Sequence, residues 1–286
     1  MAMFKNLNLG ALGFKTSFFE SVELACLGGF EGIDLNVQEI MSLLKDKTAT
    51  EINSLMREKG LKWGGWALPL RFSGDEESFQ KELKNLPSFA EKAQELGCFR
   101  AYSWIVPFSD ELPFEENFNL HVNRIKAVAE ILEEHDCVLG LEFVAPKTLR
   151  LHHKYEFIHD MDGILDLCKA VGKSNIGILL DSWHWYTSHG SVDQILRLKG
   201  SSVIYVHIND APPGIPVDEQ IDNVRRLPGE TGVIDILGFL NALKEIGYDG
   251  PVTPEPFDKS LRNLPIRDAV LKVSEAVNKV WRAAGL

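Results

Sequence analysis

The chain has 286 residues, and its 45% hydrophobic and 25% charged content is typical of a globular protein. A formal net charge of -11, with no run of Lys and Arg, argues against a nucleic-acid partner. The four cysteines form no C-x-x-C pair, no signal-peptide pattern opens the sequence, and no segment is apolar for long enough to span a bilayer. We therefore expect a cytoplasmic protein with reduced thiols and no membrane partner.

Short apolar runs recur along the chain and predict eight β-strands. In chain order these runs are 6–12, 32–36, 61–68, 99–106, 138–144, 176–181, 203–208 and 252–257. Several of them, such as LGLEFV and IGILLD, are apolar at successive positions. This pattern is typical of parallel strands that are buried on both faces.

Longer amphipathic stretches lie between these runs and predict helices. They cover 18–27, 51–59, 77–96, 118–134, 164–171, 192–199, 236–246 and 266–284. Pro87 falls inside the third stretch and predicts a break or kink there. The strict alternation of strands and helices indicates an α/β protein.

Two architectures fit eight alternating strand–helix units, namely a closed barrel and an open doubly wound sheet. The first turn of an open dinucleotide-binding sheet usually carries G-x-G-x-x-G, which residues 10–14 (GALGF) do not match. We therefore predict a single (β/α)₈ TIM barrel spanning residues 1–286. Barrel active sites lie at the carboxyl ends of the strands, so functional side chains are expected there.

Four strands carry a charged or metal-binding residue within or just after an apolar run: Glu142, Asp181, His207 and Glu255. Buried carboxylates need a partner, and three that meet an imidazole at one rim indicate a cation. The mostly oxygen donor set favours one divalent ion, with Mn²⁺ preferred and Mg²⁺, Co²⁺ or Zn²⁺ as alternatives. The competing interpretation is that each residue is paired separately.

Further polar and aromatic residues near the strand ends are candidates for substrate binding. His184 lies three residues after Asp181, and Arg225 and Arg226 lie in the long loop after the seventh strand. Lys147 follows the fifth strand, and Trp104 could form a flat wall for a sugar ring. Asp210 either supports a ligand or caps a turn. The histidines that lie away from the strand ends are expected to be structural: His121, His135, His159 and His189.

The segments LEFV, LLDSWHWY, VHIND, RRLPGETGVID and PEPF together resemble the sugar isomerase/epimerase group of the xylose-isomerase-like TIM-barrel superfamily. Within that group, inosose (2-keto-myo-inositol) isomerases are the most similar. The resemblance is densest over residues 138–257. It implies one divalent metal held by Glu142, Asp181, His207 and Glu255, with substrate contacts from His184.

The resemblance also implies a substrate-binding arginine just before the Pro-Gly of the loop after the seventh strand. Arg225 fits that spacing better than Arg226. The loop usually reads Pro-Gly-x-Gly in this group, whereas residues 228–232 read PGETG and contain one extra residue. The arginine assignment therefore stays open between the two.

The resemblance implies an enzyme that isomerises or epimerises a keto sugar or cyclitol by proton transfer through a cis-enediolate. Glu142 and Glu255 would serve as both metal ligands and acid/base groups. No Gly-rich phosphate cradle is present, which slightly favours an unphosphorylated substrate, and a homo-oligomer is compatible with the sequence.

Three other functions are alternatives to this one. A dehydratase on the same barrel would use the same metal and expel a hydroxyl group. A three-zinc endonuclease for abasic DNA needs extra histidines on the second and third strands, but GIDLN and WGGWALP contain none. A non-catalytic sugar-binding barrel would differ by lacking metal.

Overall fold

The computed structural model describes residues 2–286 and contains a curled parallel sheet surrounded by helices. Its strands are β1 (Phe4–Leu7), β2 (Gly32–Ile33), β3 (Lys62–Trp63), β4 (Trp66–Ala67), β5 (Arg100–Ile105), β6 (Phe108–Ser109), β7 (Val138–Phe143), β8 (Tyr155–Glu156), β9 (Ile176–Asp181), β10 (Val203–Ile208) and β11 (Pro251–Pro254). Nine of them form one sheet in the order β3-β2-β1-β11-β10-β9-β7-β5-β4. The strands β6 and β8 form a separate antiparallel pair.

The two ends of this sheet belong to one extended stretch, residues 62–67, which closes the barrel. β3 pairs with β2, and β4 pairs with β5. Gly64 and Gly65 interrupt the stretch where the chain passes close to other strands: a Cβ at Gly64 would collide with Asn6, and one at Gly65 would lie 2.8 Å from the Arg100 carbonyl oxygen. The predicted (β/α)₈ TIM-barrel fold is confirmed, and its third strand is split in two.

The helices are α1 (Phe18–Gly28), α2 (Val37–Leu43), α3 (Ala49–Glu58), α4 (Glu76–Leu83), α5 (Leu86–Leu96), α6 (Phe114–Glu133), α7 (Met161–Val171), α8 (Ser182–Thr187), α9 (Val192–Leu196), α10 (Ile236–Glu245) and α11 (Ile266–Ala283). The break predicted at Pro87 is the boundary between α4 and α5, and the proline lies in the first turn of α5. The sequence did not predict α2 and α8, which have only 7 and 6 residues.

Buried apolar side chains form one principal core that draws residues from Met3 to Ala284. The amphipathic helices contribute their apolar faces to this core; Val273 and Val277 of α11, for example, are fully buried. None of the helices in residues 2–286 is both long enough and apolar enough to cross a bilayer.

A hydrogen-bonded polar network crosses the barrel interior and joins strands that are distant in sequence. The Asn6 amide donates to Asp34 (2.8 Å), and it also lies 3.0 Å from the Tyr205 hydroxyl and 2.9 Å from Thr253 Oγ1. The hydroxyls of Tyr102 and Tyr205 donate to the Asp34 carboxylate at 2.8 Å. Burial raises the pKa of Asp34, and these donors oppose that shift by stabilising the charged form.

Candidate metal centre

Four side chains converge at the carboxyl ends of β7, β9, β10 and β11. Glu142, Asp181, His207 and Glu255 each place a ligand atom within 4.8 Å of the others. The parallel register explains this, because His207 of β10 lies opposite Asp181 of β9, and Glu142 of β7 lies opposite Leu179 of β9. Asp181 is fully buried and His207 is 4% exposed, so the group is shielded from bulk water.

The imidazole of His207 links the carboxylates of the centre. Its Nδ1 lies 3.3 Å from Glu142 Oε1 and 3.5 Å from Glu255 Oε2, while its Nε2 is buried with no hydrogen-bond partner. Nδ1 thus faces two carboxylates, and an imidazole nitrogen among carboxylate oxygens fits the donor set of a divalent cation. These residues could therefore hold one such ion.

The protonation pattern reflects how closely these charges are placed. Burial, reinforced by the charges of Asp181 and Glu255, raises the pKa of Glu142 to about 7, and burial also raises the pKa of Glu255. Burial would lower the pKa of His207, but the neighbouring carboxylates raise it to about 9. The cluster therefore retains a proton that a divalent cation would replace as the compensating charge.

Asp181 is the carboxylate that stays ionised. Burial alone would raise its pKa, but the charge of Arg225, together with His184, His207 and the Trp183 backbone N–H, outweighs burial and lowers the pKa to about 2. Arg225 Nη1 donates to Asp181 Oδ2 at 2.7 Å, and the Trp183 backbone N–H and the Asn209 side-chain amide donate to Oδ1 at 2.8 Å. These donors fix the orientation of the carboxylate.

Arg225 is almost fully buried, and its guanidinium completes the charge balance of the centre. It donates to Glu255 Oε2 at 2.9 Å and to Asp222 Oδ1 at 3.0 Å. Its guanidinium carbon lies 5.3 Å from the centre of the Trp183 ring and 4.4 Å from that of Phe257. Phe257 has a φ of 39°, a backbone strain of roughly 1–3 kcal/mol for a bulky residue, held beside the site.

The loop between β10 and α10 separates the two arginines. Arg226 pairs with Asp210 through backbone hydrogen bonds of 2.8 and 2.9 Å, and its Nη1 donates to the Arg225 carbonyl oxygen. The Asp210 carboxylate accepts the backbone N–H groups of Thr231 and Gly232 at 2.8 Å, so it holds the segment that contains the extra residue. Only Arg225 of the pair contacts the centre.

His184 lies one turn into α8, directly beside Asp181. Its Nδ1 accepts the Ala145 backbone N–H at 3.2 Å, and Arg225 Nη2, which can only donate, lies 3.3 Å from its Nε2. That nitrogen lies 3.8 Å from Asp181 Oδ2 and 3.9 Å from Asp222 Oδ1. Burial lowers the pKa of His184 to about 4, so the ring is neutral at pH 7.

The structure does not bring the other two candidates into this group. Lys147 is half-exposed, and its Nζ forms an ion pair with Asp218 at 3.0 Å. Trp104 is 48% exposed and lies opposite Glu142 in the sheet register. Together with His121 it lines a cavity of about 190 Å³.

Two polar residues in the site were missed by the sequence analysis. Asn209 donates to Asp181 and exchanges hydrogen bonds with Ser182, and Asp222 holds the guanidinium of Arg225. Asn209 had a usable signal, because it lies two residues after His207 in VHIND. No sequence signal pointed to Asp222, since it lies in a long polar loop.

Comparison with known proteins supports both the fold and the kind of chemistry. A sequence profile of the xylose isomerase-like TIM barrel matches residues 19–278. An inosose isomerase from Bacillus velezensis is 24% identical over 265 residues, which is 91% of each chain. A D-psicose 3-epimerase from Ruminiclostridium cellulolyticum is 24% identical over 56% of this chain and 48% of its own. A 3-dehydroshikimate dehydratase from Pseudomonas aeruginosa is 34% identical, but over only 36% of this chain and 16% of its own.

Solved structures are similar over the whole barrel. A xylose isomerase domain protein from Alicyclobacillus acidocaldarius superposes with a TM-score of 0.88 and 28% identity, covering 100% of both chains. The IolI protein with a bound zinc atom superposes with a TM-score of 0.81 and 20% identity, covering 97% of this chain and 98% of the other. The similar proteins of known activity named above are enzymes that act on small sugars, cyclitols or related molecules.

Proposed function

The chain belongs to the xylose isomerase-like TIM-barrel family, and on that premise we propose that it is a metal-dependent isomerase or epimerase of a keto sugar or inosose. The observation that carries the proposal is the convergence of Glu142, Asp181, His207 and Glu255 within 4.8 Å. Inosose isomerases are similar to this chain over about nine-tenths of its length, which supports the same class of substrate.

The proposed cofactor is one divalent ion, held by the three carboxylates and His207. The oxygen-rich donor set favours Mn²⁺, with Mg²⁺, Co²⁺ and Zn²⁺ as alternatives, and the zinc in the IolI neighbour supports a divalent ion in this fold. When bound, such an ion supplies Lewis-acid polarisation of a carbonyl oxygen and the adjacent hydroxyl oxygen.

Glu142 and Glu255 are the proposed acid/base pair. One carboxylate removes the proton from the carbon next to the carbonyl, and the substrate becomes a cis-enediolate. The other returns a proton, either to the former carbonyl carbon, with transfer of the hydroxyl proton to the former carbonyl oxygen, which isomerises the sugar, or to the opposite face of the original carbon, which epimerises it. The raised pKa of both glutamates supports this role, because burial favours the protonated form of each and brings the pKa of Glu142 to about 7.

Arg225 and His184 are the proposed substrate-binding residues. The Arg225 guanidinium, packed against two aromatic rings, already donates to Asp181, Glu255 and Asp222, so a substrate hydroxyl or oxyanion would bind it by replacing one of these acceptors. The Nε2 of neutral His184 lies 3.3 Å from Arg225 Nη2, and this nitrogen would meet a substrate hydroxyl that replaces the guanidinium contact. Both side chains are buried next to Asp181, so a bound sugar would meet them on the same side of the centre.

Proton exchange tests this proposal directly. Protein loaded with Mn²⁺ is incubated in D₂O with 2-keto-myo-inositol or a ketohexose, and NMR follows deuterium at the carbon next to the carbonyl. We expect exchange in the wild type and a loss of about 100-fold or more in Glu142→Gln and Glu255→Gln. Glu156→Gln, an exposed position on β8, is the control and should retain exchange. Undiminished exchange in both active-site variants contradicts the assignment.

A dehydratase is the second candidate, and the dehydratase relative, which is 34% identical over 103 residues, is the observation in its favour. The same metal and carboxylates would serve, with a hydroxyl group leaving from the carbon beyond the enolate. The NMR experiment separates the two reactions, because a dehydratase yields an unsaturated ketone and water instead of an isomer.

A further inference from the structure

A cavity of about 710 Å³ lies at the carboxyl ends of β1, β2 and β4, next to the metal centre. Tyr102 connects the two, because its ring lines the cavity and its centroid lies 6.1 Å from that of the His207 ring. Cavities of roughly 300–1,000 Å³ accommodate drug-sized ligands. A single six-carbon sugar bound at the metal centre would therefore leave most of this space empty.

Aromatic rings form fixed walls on one side of the cavity. Phe18 stacks on Trp63 with a centroid distance of 5.8 Å and an interplanar angle of 27°. Trp63 Nε1 donates to Asn53 at 3.0 Å, and the Phe18 backbone N–H donates to Glu39 at 2.6 Å, so both rings are held in place. Phe14 is a third aromatic ring that lines the cavity.

The floor of the cavity is polar, but its hydrogen bonds are made internally. Asn8 Nδ2 donates to Asp34 at 2.9 Å and lies 3.1 Å from the Tyr102 hydroxyl, which itself donates to Asp34. A second sugar would need to break these bonds in order to make its own. A flat apolar group could instead stack on the walls without disturbing the floor.

We propose that this cavity binds a bulky aromatic substituent, so that the substrate is a keto sugar or keto-cyclitol that carries an aryl group. The inference rests on the proposed function only for the half of the substrate that meets the metal. The reacting ring would lie at the metal centre, and the aryl group would extend past Tyr102 between Phe14 and Trp63.

Binding of unreactive glucosides to the Mn²⁺-loaded protein tests the inference by calorimetry. The probes are methyl β-D-glucopyranoside, phenyl β-D-glucopyranoside and cellobiose. We expect the phenyl compound to bind about tenfold more tightly than the other two, because a phenyl ring becomes buried. Equal affinity for the phenyl and methyl compounds, no binding of any probe, or tighter binding of cellobiose would overturn the proposal.

Two variants and one matched control locate the effect. Phe14→Ala removes part of the wall, and Gln38→Trp fills the cavity from an exposed rim position, which protects the test if the first variant fails to fold. Both should reduce the phenyl preference to about twofold or less. Phe99→Ala removes a 41% exposed ring just before β5, at the other end of the barrel, and should retain the preference.

The outcome is independent of catalysis, because none of the probes reacts. A retained phenyl preference without any proton exchange would overturn the proposed reaction and leave the cavity assignment standing. Proton exchange without a phenyl preference would leave the proposed reaction standing and overturn the cavity assignment.

Discussion

Arg225 shows how one side chain serves both the charge balance and the proposed chemistry of the centre. It contacts Asp181, Glu255 and Asp222 while being nearly fully buried. A buried guanidinium with three carboxylate partners is costly to remove, since the partners are left uncompensated. The same charge repels a cation that would bind between those carboxylates.

The Arg225→Gln variant should therefore separate substrate handling from metal binding. We expect kcat/KM for proton exchange to fall about 100-fold, because a charge-assisted donor to the substrate is lost. Mn²⁺ affinity, measured by calorimetry, should stay the same or increase because a neighbouring positive charge is removed. Arg226→Gln, one residue away and outside the centre, is the control and should change both quantities by less than about threefold. A parallel loss of both in Arg225→Gln would indicate simple unfolding of the site.

Sequence reasoning found some site residues and missed others for a physical reason. Glu142 and Asp181 were detectable because a carboxylate inside an apolar run is costly unless it has a partner. Asp34 was not, because it ends a short strand where a polar residue is unremarkable. Its partner Tyr205 is 171 residues away, and only the closed barrel brings the two together.

At the level of elements, the loop between β10 and α10 carries Arg225 to the centre. Asp210 organises this loop, since its carboxylate accepts four backbone N–H groups, those of Ala211, Thr231, Gly232 and Ile234. The sequence analysis left open whether Asp210 supports a ligand or caps a turn. The structure shows that it holds the turn.

The Asp210→Asn variant should loosen the loop while leaving the barrel intact. Replacing one acceptor oxygen by an amide leaves buried N–H groups without partners, at a cost of about 1–3 kcal/mol. We expect amide hydrogen exchange over residues 226–234 to accelerate at least tenfold and proton-exchange activity to fall. Asp218→Asn, an exposed position in the same loop, should leave both near wild type. Unchanged exchange in the Asp210 variant would contradict the anchoring role.

Helices were predictable where the amphipathic pattern extends over many residues, and they were missed where it covers only a few. The helices α6 and α11, with 20 and 18 residues, were expected from their amphipathic patterns. The helix α8 was missed because its 6 residues, SWHWYT, are too few to show a helical period. It nevertheless sets the position of His184, one turn after Asp181.

For the whole molecule, the alternation of strands and helices, together with a first turn that does not match G-x-G-x-x-G, predicted the barrel. The small β6–β8 sheet was not predictable, because it joins Phe108 and Ser109 to a distant two-residue strand. Closure through Gly64 and Gly65 was not predicted either, since glycines inside a strand pattern do not specify which neighbours approach them.

The His121 side chain should contribute a loss of stability on mild acidification. Burial, helped by the charge of Arg124, lowers its pKa to about 4, against about 6.5 in an unfolded chain. The unfolded state therefore binds more protons between these values, so stability is lost as the pH falls from about 6.5 to 4. In urea unfolding, the free energy of unfolding should fall over this pH range by up to about 3 kcal/mol less in His121→Gln than in the wild type. The exposed His152→Gln should follow the wild type, and an identical loss in His121→Gln would refute this cause.

Calorimetric titration of divalent metal into chelator-treated protein at pH 7 probes the shared metal centre most directly. Four side chains that act together should bind one Mn²⁺ per chain, and the affinity should fall at least about 100-fold in both Asp181→Asn and His207→Gln. If the wild type binds no divalent ion, or if both variants bind it as tightly as the wild type does, then Glu142, Asp181, His207 and Glu255 do not form a metal site.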